Sequence, residues 1–255
     1  MMSAGSSQII LAEIFREIPG LVCAMSTRNG GVSPAPLGMN LSFNVGDAPD
    51  NVAANRKLFF EAIGVPMESV AYTAQVHGDT IRVIDGAGAY ESCDGLITEA
   101  SGVYCTVTVA DCVPIFLVDP VRHAVGAIHA GWRGSAAGIA GKGVRMFAEK
   151  FGSVPHDLFA FVGPAVGQCC YVVGEDVARC FPDTATRTDA SGTYVDLKGE
   201  NARQLQSAGV PADRIEVSAR CTISEPEMFH SHRRDGARSG RMMGVIGFHP
   251  RFPLH

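Results

Sequence analysis

The chain has 255 residues, of which 46% are hydrophobic and 18% charged, with a formal net charge of −5 at pH 7. This composition predicts one compact domain spanning residues 1–255 and argues against long disordered regions. The acidic balance excludes a basic surface that tracks nucleic acid, and no apolar run is long enough to span a membrane. We therefore expect a cytoplasmic protein without nucleic-acid or membrane partners, and no pattern indicates its oligomeric state.

Apolar residues at helical spacing first occur over residues 52–63. They predict a helix with Asp50 or Asn51 as its N-cap and Gly64 as its end. The same periodicity over residues 144–151 predicts a helix that ends at Gly152. Further helical patterns cover residues 175–181 and 197–208.

Strand-like segments dominate the middle of the chain. Residues 69–76 and 80–84 flank His77-Gly78-Asp79, which predicts a β-hairpin. Further strands are predicted over residues 103–109, 114–118, 124–129, 158–162 and 242–248. Because regular helices do not separate the strands, a doubly wound parallel sheet is a poor fit. The sequence predicts an α+β fold, a single domain in which mixed β-sheets form a central core flanked by helices.

Three polar segments interrupt the apolar strands, each at or near a strand end. They contain His77, Cys112 and His129. Two imidazoles and one thiolate suit zinc, and three protein ligands leave the fourth position open, as in catalytic sites. However, a lone histidine at a strand end is more often structural, and a lone buried cysteine is more often inert. The spacing by itself leaves both interpretations open.

A series of short sequence motifs in a fixed order favours the metal site over the structural interpretation. In chain order they are Thr27-Arg28-Asn29-Gly30-Gly31-Val32-Ser33, Asn40-Leu41-Ser42, Asn44-Val45-Gly46-Asp47, Asn55-Arg56, Gln75-Val76-His77-Gly78, Asp94-Gly95-Leu96-Ile97-Thr98, Ala110-Asp111-Cys112-Val113-Pro114, His129-Ala130-Gly131-Trp132-Arg133-Gly134, Gly163-Pro164-Ala165, Cys169-Cys170-Tyr171, Ser231-His232-Arg233-Arg234-Asp235 and Gly240-Arg241-Met242. This series resembles the purine nucleoside phosphorylase family formerly described as polyphenol oxidases or laccases, also called the peptidoglycan editing factor family. The likeness runs from about residue 22 to residue 248.

The resemblance implies an α+β fold and one catalytic zinc ion bound by His77, Cys112 and His129. It also implies phosphorolysis of adenosine, inosine and methylthioadenosine, together with deamination of adenosine. Three residues depart from the family's usual pattern. Val172 stands where a glutamate is common, and His230 and His232 stand where aromatic residues are frequent. These differences are expected to alter the floor of the pocket or its substrate preference.

Other residues of these motifs are candidates for substrate binding. Arg133 could bind phosphate or orient a carboxylate, and Asp111 could support a histidine ligand or act as an acid or base. Asn40 and Gln75 could hydrogen-bond the base or the sugar. Each could instead form a salt bridge or tie a loop. An anion site could also include Arg28, Arg233 and Arg234.

Three other functions stay open at this point. The first is a zinc amidase that edits muropeptide precursors containing L-serine, as the second family name implies. The second is copper-dependent phenol oxidation, which needs several close histidine pairs, whereas this chain has one His-x-His, at His230 and His232. The third is a protein without enzymatic activity in which zinc is structural, which a fourth protein ligand would favour.

Overall fold

A computed structural model describes residues 9–250 of the chain. Within them the strands are β1 (Ile9–Leu11), β2 (Leu21–Ser26), β3 (Val70–Thr73), β4 (Ile81–Val83), β5 (Gly88–Tyr90), β6 (Gly95–Thr98), β7 (Tyr104–Val109), β8 (Val113–Asp119), β9 (Ala124–Ala130), β10 (Phe159–Val162), β11 (Val172–Val173), β12 (Thr186–Asp189), β13 (Gly192–Val195), β14 (Ile215–Val217) and β15 (Met242–Phe248). The helices are α1 (Pro49–Ala62), α2 (Trp132–Ala136), α3 (Ile139–Phe151), α4 (Glu175–Ala178), α5 (Leu197–Ser207) and α6 (His232–Asp235).

Most strands belong to two six-stranded sheets. Sheet I has the order β1-β2-β15-β7-β3-β5, and sheet II has the order β14-β10-β8-β9-β6-β4. Both are mixed, since β3 runs parallel to β7 and β5 while β15 is antiparallel to its neighbours, and β10 is parallel to β14 but antiparallel to β8. The predicted α+β class with mixed sheets is therefore confirmed.

The core consists of three apolar layers. One lies between the two large sheets, and one covers the outer face of each sheet. Side chains of β7 and β15 pack face to face against those of β8, β9 and β10, where the ring of Phe116 stacks on Phe161 with centroids 6.1 Å apart. Helix α1 covers the outer face of sheet I with Phe59 and Phe60. Helices α3 and α5 cover the outer face of sheet II. Strand β8 is consequently buried on both faces, which explains its continuous apolar sequence.

The predicted helices are present with shifted ends. Helix α1 begins at Pro49 after an N-cap at Ala48, so the predicted cap at Asp50 or Asn51 was wrong. Proline fits the first helical turn because its missing N–H has no partner there. Gly64 follows α1 with a φ of +68°, and α3 ends at Gly152 in the left-handed conformation, as predicted. The helix predicted over residues 175–181 shortens to α4, and that over 197–208 is α5.

The predicted hairpin around His77-Gly78-Asp79 was wrong. Strand β3 belongs to sheet I, whereas β4 pairs with β6 in sheet II. The segment between them crosses from one sheet to the other instead of turning back. The remaining predicted strands are present with ends shifted by at most one or two residues. The extent of the single domain stays a prediction, because residues 1–8 and 251–255 lie outside the described part.

None of the helices within residues 9–250 combines the length and the hydropathy that crossing a bilayer requires.

Candidate metal centre and its cavity

The three predicted ligands meet where the chain crosses between the two large sheets. His77 lies in the crossover from β3 to β4, Cys112 in the short link from β7 to β8, and His129 in β9. The register of β8 and β9 pairs Pro114 with His129, which brings the start of β8 beside the end of β9. One donor atom from each ligand lies within 4.8 Å of the other two. The sequence prediction that these side chains converge agrees with this geometry.

Two of the crossover residues have positive φ without being glycine. His77 has a φ of 59° and Asp111 a φ of 89°. Such conformations cost about 1–3 kcal/mol and persist only where surrounding contacts hold them. The Oδ1 atom of Asp94 accepts the backbone N–H of His77 at 2.9 Å. The carboxylate of Asp111 accepts the Thr222 hydroxyl at 2.6 Å and the Arg233 backbone N–H at 2.7 Å. These bonds fix the two turns that present the ligands.

Asp94 is the residue that orients His129. Strand β6 pairs Gly95 with Ile128, which places Asp94 opposite His129. The Nδ1 of His129 lies 2.8 Å from Oδ1 of Asp94, and the Gly78 N–H donates to its Oδ2 at 2.7 Å. Because its Nδ1–H donates a hydrogen bond to the carboxylate, His129 has Nε2 left to bind a metal. Asp94 belongs to the motif Asp94-Gly95-Leu96-Ile97-Thr98, but no role was predicted for it. The usable signal was an acidic residue directly before an apolar strand.

The charges of the cluster support metal binding. Burial raises the pKa of the Cys112 thiol, but the charge of His129 and hydrogen bonds from His129 and His77 outweigh burial and lower it to about 6. Burial lowers the pKa of His129, but the Cys112 thiolate and the hydrogen bond to Asp94 raise it to about 9. Cys112 is therefore a thiolate at neutral pH, the form that binds metals. A dication would take the place of the His129 proton.

The donor set also fits a metal ion in its dimensions. Zinc binds sulfur at about 2.3 Å and imidazole nitrogen at about 2.0–2.1 Å, so tetrahedral donors lie roughly 3.3–3.8 Å apart. Donor atoms already within 4.8 Å of one another need only small side-chain movements to reach that spacing. Gly131 leaves room for them, because a Cβ there would lie 3.3 Å from both Cys112 Sγ and His77 Cδ2.

A cavity of about 340 Å³ opens over the cluster. That volume falls within the usual range for small-molecule sites. Gln75 lines it, with Oε1 accepting the Thr108 N–H and hydroxyl at 2.8 Å and Nε2 donating to the Thr108 carbonyl at 2.9 Å. Its amide thus joins the ends of β3 and β7. The lining residues are Ser42, Asn44, Val45, Thr73, Gln75, His77, Thr108, Val109, Ala110, Cys112, His129, His232 and Arg241.

Arg241 supplies a cation to the cavity wall. Its guanidinium donates to the carbonyls of Ser239 and Gly240 at 2.8 and 3.0 Å, which leaves further N–H groups for a ligand. Burial lowers its pKa, while the charges of Cys112 and Asp111 raise it. Arginine is charged at any physiological pH. Arg241 belongs to the motif Gly240-Arg241-Met242, but no role was predicted for it. A lone arginine directly before an apolar strand was the usable signal.

Comparison with known proteins places the chain in a family. A family model described as multi-copper polyphenol oxidoreductase laccase matches residues 22–249. The chain belongs to this family. The purine nucleoside phosphorylase YlmD of Geobacillus stearothermophilus is 39% identical over 247 residues, covering 89% of this chain and 90% of that protein. YlmD of Bacillus subtilis, also named a purine nucleoside phosphorylase, is 36% identical over 245 residues, covering 89% and 88%.

Solved structures of the laccase-like family show the same fold. The hypothetical protein YfiH of Bacillus licheniformis superimposes with a TM-score of 0.90 at 36% identity, covering 96% of this chain and 97% of that one. The structure of YlmD from Geobacillus stearothermophilus gives a TM-score of 0.88 at 37% identity, covering 94% of both chains. The fold is therefore that of the YfiH and YlmD proteins.

Asn40 was a candidate for substrate binding, but it is not among the residues that line the cavity. Its side chain is buried and fully engaged, with Oδ1 accepting the backbone N–H groups of Ser42 and Arg241 and Nδ2 donating to Ser42 O and Asp47 Oδ2. Asn40 thus holds the backbone of the residue that presents the cavity's cation.

The other arginines that were candidates for an anion site lie outside the lining of the cavity. Arg133 is exposed, with its guanidinium 4.3 Å from the Trp132 ring centroid. The guanidinium groups of Arg28, Arg233 and Arg234 donate to backbone carbonyls between 2.8 and 3.3 Å away. These contacts tie loops together.

The three departures from the family pattern fall in different places. His232 begins α6 and lines the cavity. His230 is fully buried, and burial together with the charges of Arg28 and Arg241 lowers its pKa to about 3, so its ring is neutral. Val172 is partly exposed, and its carbonyl accepts the Arg233 guanidinium. Of these three residues, His232 is the one that lines the cavity, where it can contact a substrate.

Proposed function

We propose that this chain is a zinc-dependent purine nucleoside phosphorylase that cleaves adenosine, inosine and methylthioadenosine with phosphate and also deaminates adenosine to inosine. One observation carries the proposal: the His77, Cys112 and His129 donors converge beneath a cavity of nucleoside size with Arg241 on its wall. The purine nucleoside class follows from the names of relatives that cover about nine tenths of the chain.

The donor set supports zinc over copper and a catalytic over a structural ion. Two imidazoles and one thiolate are usual zinc ligands. Among the described residues this cluster comprises three donor side chains, which leaves a coordination position for a reactant. When bound, zinc supplies Lewis-acid polarisation and makes water a nucleophile near neutral pH.

The protein's own groups bind and orient the reactants. Asp94 holds His129 in one tautomer and fixes the His77 backbone, so the ligand positions are set before substrate arrives. Arg241 is placed to bind the phosphate nucleophile by charge-assisted hydrogen bonds. Polar groups along the wall can hydrogen-bond the sugar and the purine: they are the Asn44 amide and, as acceptors, the hydroxyl oxygens of Ser42, Thr73 and Thr108.

Incubation of adenosine with and without phosphate tests the proposal. With phosphate, the zinc-loaded protein should release adenine and ribose 1-phosphate, and without phosphate it should release no adenine but still form some inosine. Chromatography of the products separates the cases. Adenine release without phosphate would indicate a hydrolase. Untouched adenosine with cleavage of a muropeptide precursor containing L-serine would establish the amidase, and copper-dependent oxidation of phenols would establish the oxidase.

Replacing Arg241 with alanine should weaken the use of phosphate. Hydrogen bonds to charged groups contribute about 1.5–3 kcal/mol, so the KM for phosphate should rise roughly 10- to 100-fold. Deamination of adenosine, which consumes no phosphate, should change much less. The matched control is Arg133→Ala, which removes an exposed arginine outside the cavity lining. A larger phosphate effect in the Arg133 variant would assign the anion site to α2 instead.

A further inference from the structure

A second cluster of metal-binding side chains lies outside the cavity lining. Cys169 and Cys170 occupy a turn after β10, and Cys221 lies in the segment after β14, where it bridges to Ala165. The three sulfur atoms lie within 4.8 Å of one another, and those of Cys169 and Cys170 are 3.4 Å apart. Cys221 is buried, Cys170 half-buried and Cys169 exposed. The cluster therefore has a buried base and a face open to solvent.

The surroundings of Cys221 favour the thiolate that a metal requires. Its Sγ accepts the backbone N–H of Gly167 at 3.2 Å. Burial raises its pKa, but hydrogen bonds from Ser224, Gly167 and Ile223 outweigh burial and lower it to about 7. Burial and the neighbouring sulfurs raise the pKa of Cys170 to about 12. Three adjacent thiols without a cation therefore resist full deprotonation.

A buried ammonium group faces this cluster. Lys198 of α5 is 6% exposed and donates to the carbonyls of Ser218 and Arg220 at 2.6 and 2.8 Å. Burial lowers its pKa, whereas the charges of Cys221, Asp196, Cys169 and Glu225 raise it, so the ammonium lies near two of the sulfurs and two carboxylates. A buried ammonium beside the cluster favours thiolates over neutral thiols, because buried charges are tolerated when they are paired.

We propose that Cys169, Cys170 and Cys221 form a second metal site, which binds one thiophilic dication such as Zn²⁺ or Cd²⁺. Sulfurs that share one zinc ion at about 2.3 Å lie about 3.8 Å apart, a spacing within reach of the observed cluster. Thiolate ligands select soft or borderline metals over Mg²⁺ and Ca²⁺. The solvent-exposed side of the cluster, at Cys169, leaves the fourth coordination position of the ion open to water.

An ion here would stiffen the segments that support the first site. Thr222, next to Cys221, donates its hydroxyl to Asp111, and the Val166 N–H donates to the Asp111 carbonyl. Asp111 precedes Cys112 in the link between β7 and β8. The second site thus joins two segments that both hold this link, and it does so independently of any nucleoside chemistry.

Cadmium titration of the reduced, metal-free protein tests this proposal. The Cys112→Ser background disables the first site, so any remaining tight site is the second one. This variant should bind one equivalent of Cd²⁺, with a thiolate-to-cadmium charge-transfer band of three-sulfur amplitude. Adding Cys169→Ala, at an exposed position, should remove about a third of the band. Adding Cys221→Ser should abolish binding, with circular dichroism checking the fold.

Cys180→Ser in the same background is the matched control, because Cys180 is an exposed thiol outside both clusters. It should leave the stoichiometry at one. The proposal fails if Cys112→Ser binds no Cd²⁺ tightly or if the Cys180 variant loses it as well. It also fails if the native protein contains a disulfide between two of the three cysteines and takes up no metal after reduction.

Discussion

Replacing Cys112 with serine should remove the metal ion of the first site, and with it the nucleoside reactions, from a protein that still folds. The thiolate is the one anionic ligand of the cluster, and a serine hydroxyl of similar size is a poor zinc donor. Mutation of a residue that only orients a metal ligand lowers metal affinity or activity by about 10–100-fold. Loss of the ligand itself should therefore lower both by more than about 100-fold. The loss of one zinc ion per chain relative to the wild type and the loss of adenosine turnover measure the effect, and His77→Ala and His129→Ala should behave alike.

Two other cysteines serve as controls for Cys112→Ser. Cys180→Ser changes an exposed thiol and should retain metal and activity. Cys105→Ser should retain them too, although it buries a hydroxyl in β7 and should cost roughly 1–3 kcal/mol of stability. The far-ultraviolet circular dichroism of Cys112→Ser should match the wild type, because a core of this size does not depend on a metal to fold. A Cys112→Ser protein with the full wild-type zinc content and the wild-type rate would show that the catalytic site is elsewhere.

Replacing Asp94 with asparagine should weaken metal binding and the fold together. The carboxylate accepts the His129 ring N–H and the backbone N–H groups of His77 and Gly78. An asparagine side chain must turn an NH₂ group toward one of these donors, and a buried donor without an acceptor costs about 1–3 kcal/mol. Loss of the orienting charge should lower zinc affinity by about 10–100-fold. Competition with a chelator and thermal unfolding measure the two effects.

Asp79→Asn is the matched control for Asp94→Asn. Asp79 belongs to the same crossover, but its side chain is 44% exposed and pairs with Lys142 at 2.8 Å. Surface pairs of this kind contribute about 0–1 kcal/mol. The control should therefore keep the zinc affinity of the wild type. Equal zinc affinity in the Asp94 variant and the control would contradict the orienting role of Asp94.

The elements that the sequence predicted well are those with a strong local pattern. Helix α3 shows apolar residues at helical spacing and a glycine at its end, and β15 matches the predicted residues 242–248. Helix α1 was displaced because Pro49 allows an earlier start than the polar caps Asp50 and Asn51 suggested. Short strands such as β5 and β11 were missed because two or three residues give no periodicity.

The hairpin error has a different cause. Two strand-like segments around His77-Gly78-Asp79 satisfy a local hairpin pattern, yet the first joins sheet I and the second joins sheet II. The crossover is held by Asp94, 16 to 18 residues further on, which accepts the N–H groups of Val76, His77 and Gly78. A local pattern contains no information about a bond with a residue so far along the chain.

The sequence by itself determined the family, the α+β class and the candidate set of His77, Cys112 and His129, because side-chain chemistry and rigid motifs are written in it directly. Only the tertiary structure decided which other residues contact these ligands and which line the cavity above them. Asp94 contacts His129, Arg241 lines the cavity, and Arg133 lies outside its lining against Trp132. The reason is physical: strand register and the crossing between two packed sheets set these distances, and both arise from long-range pairing that no short segment specifies.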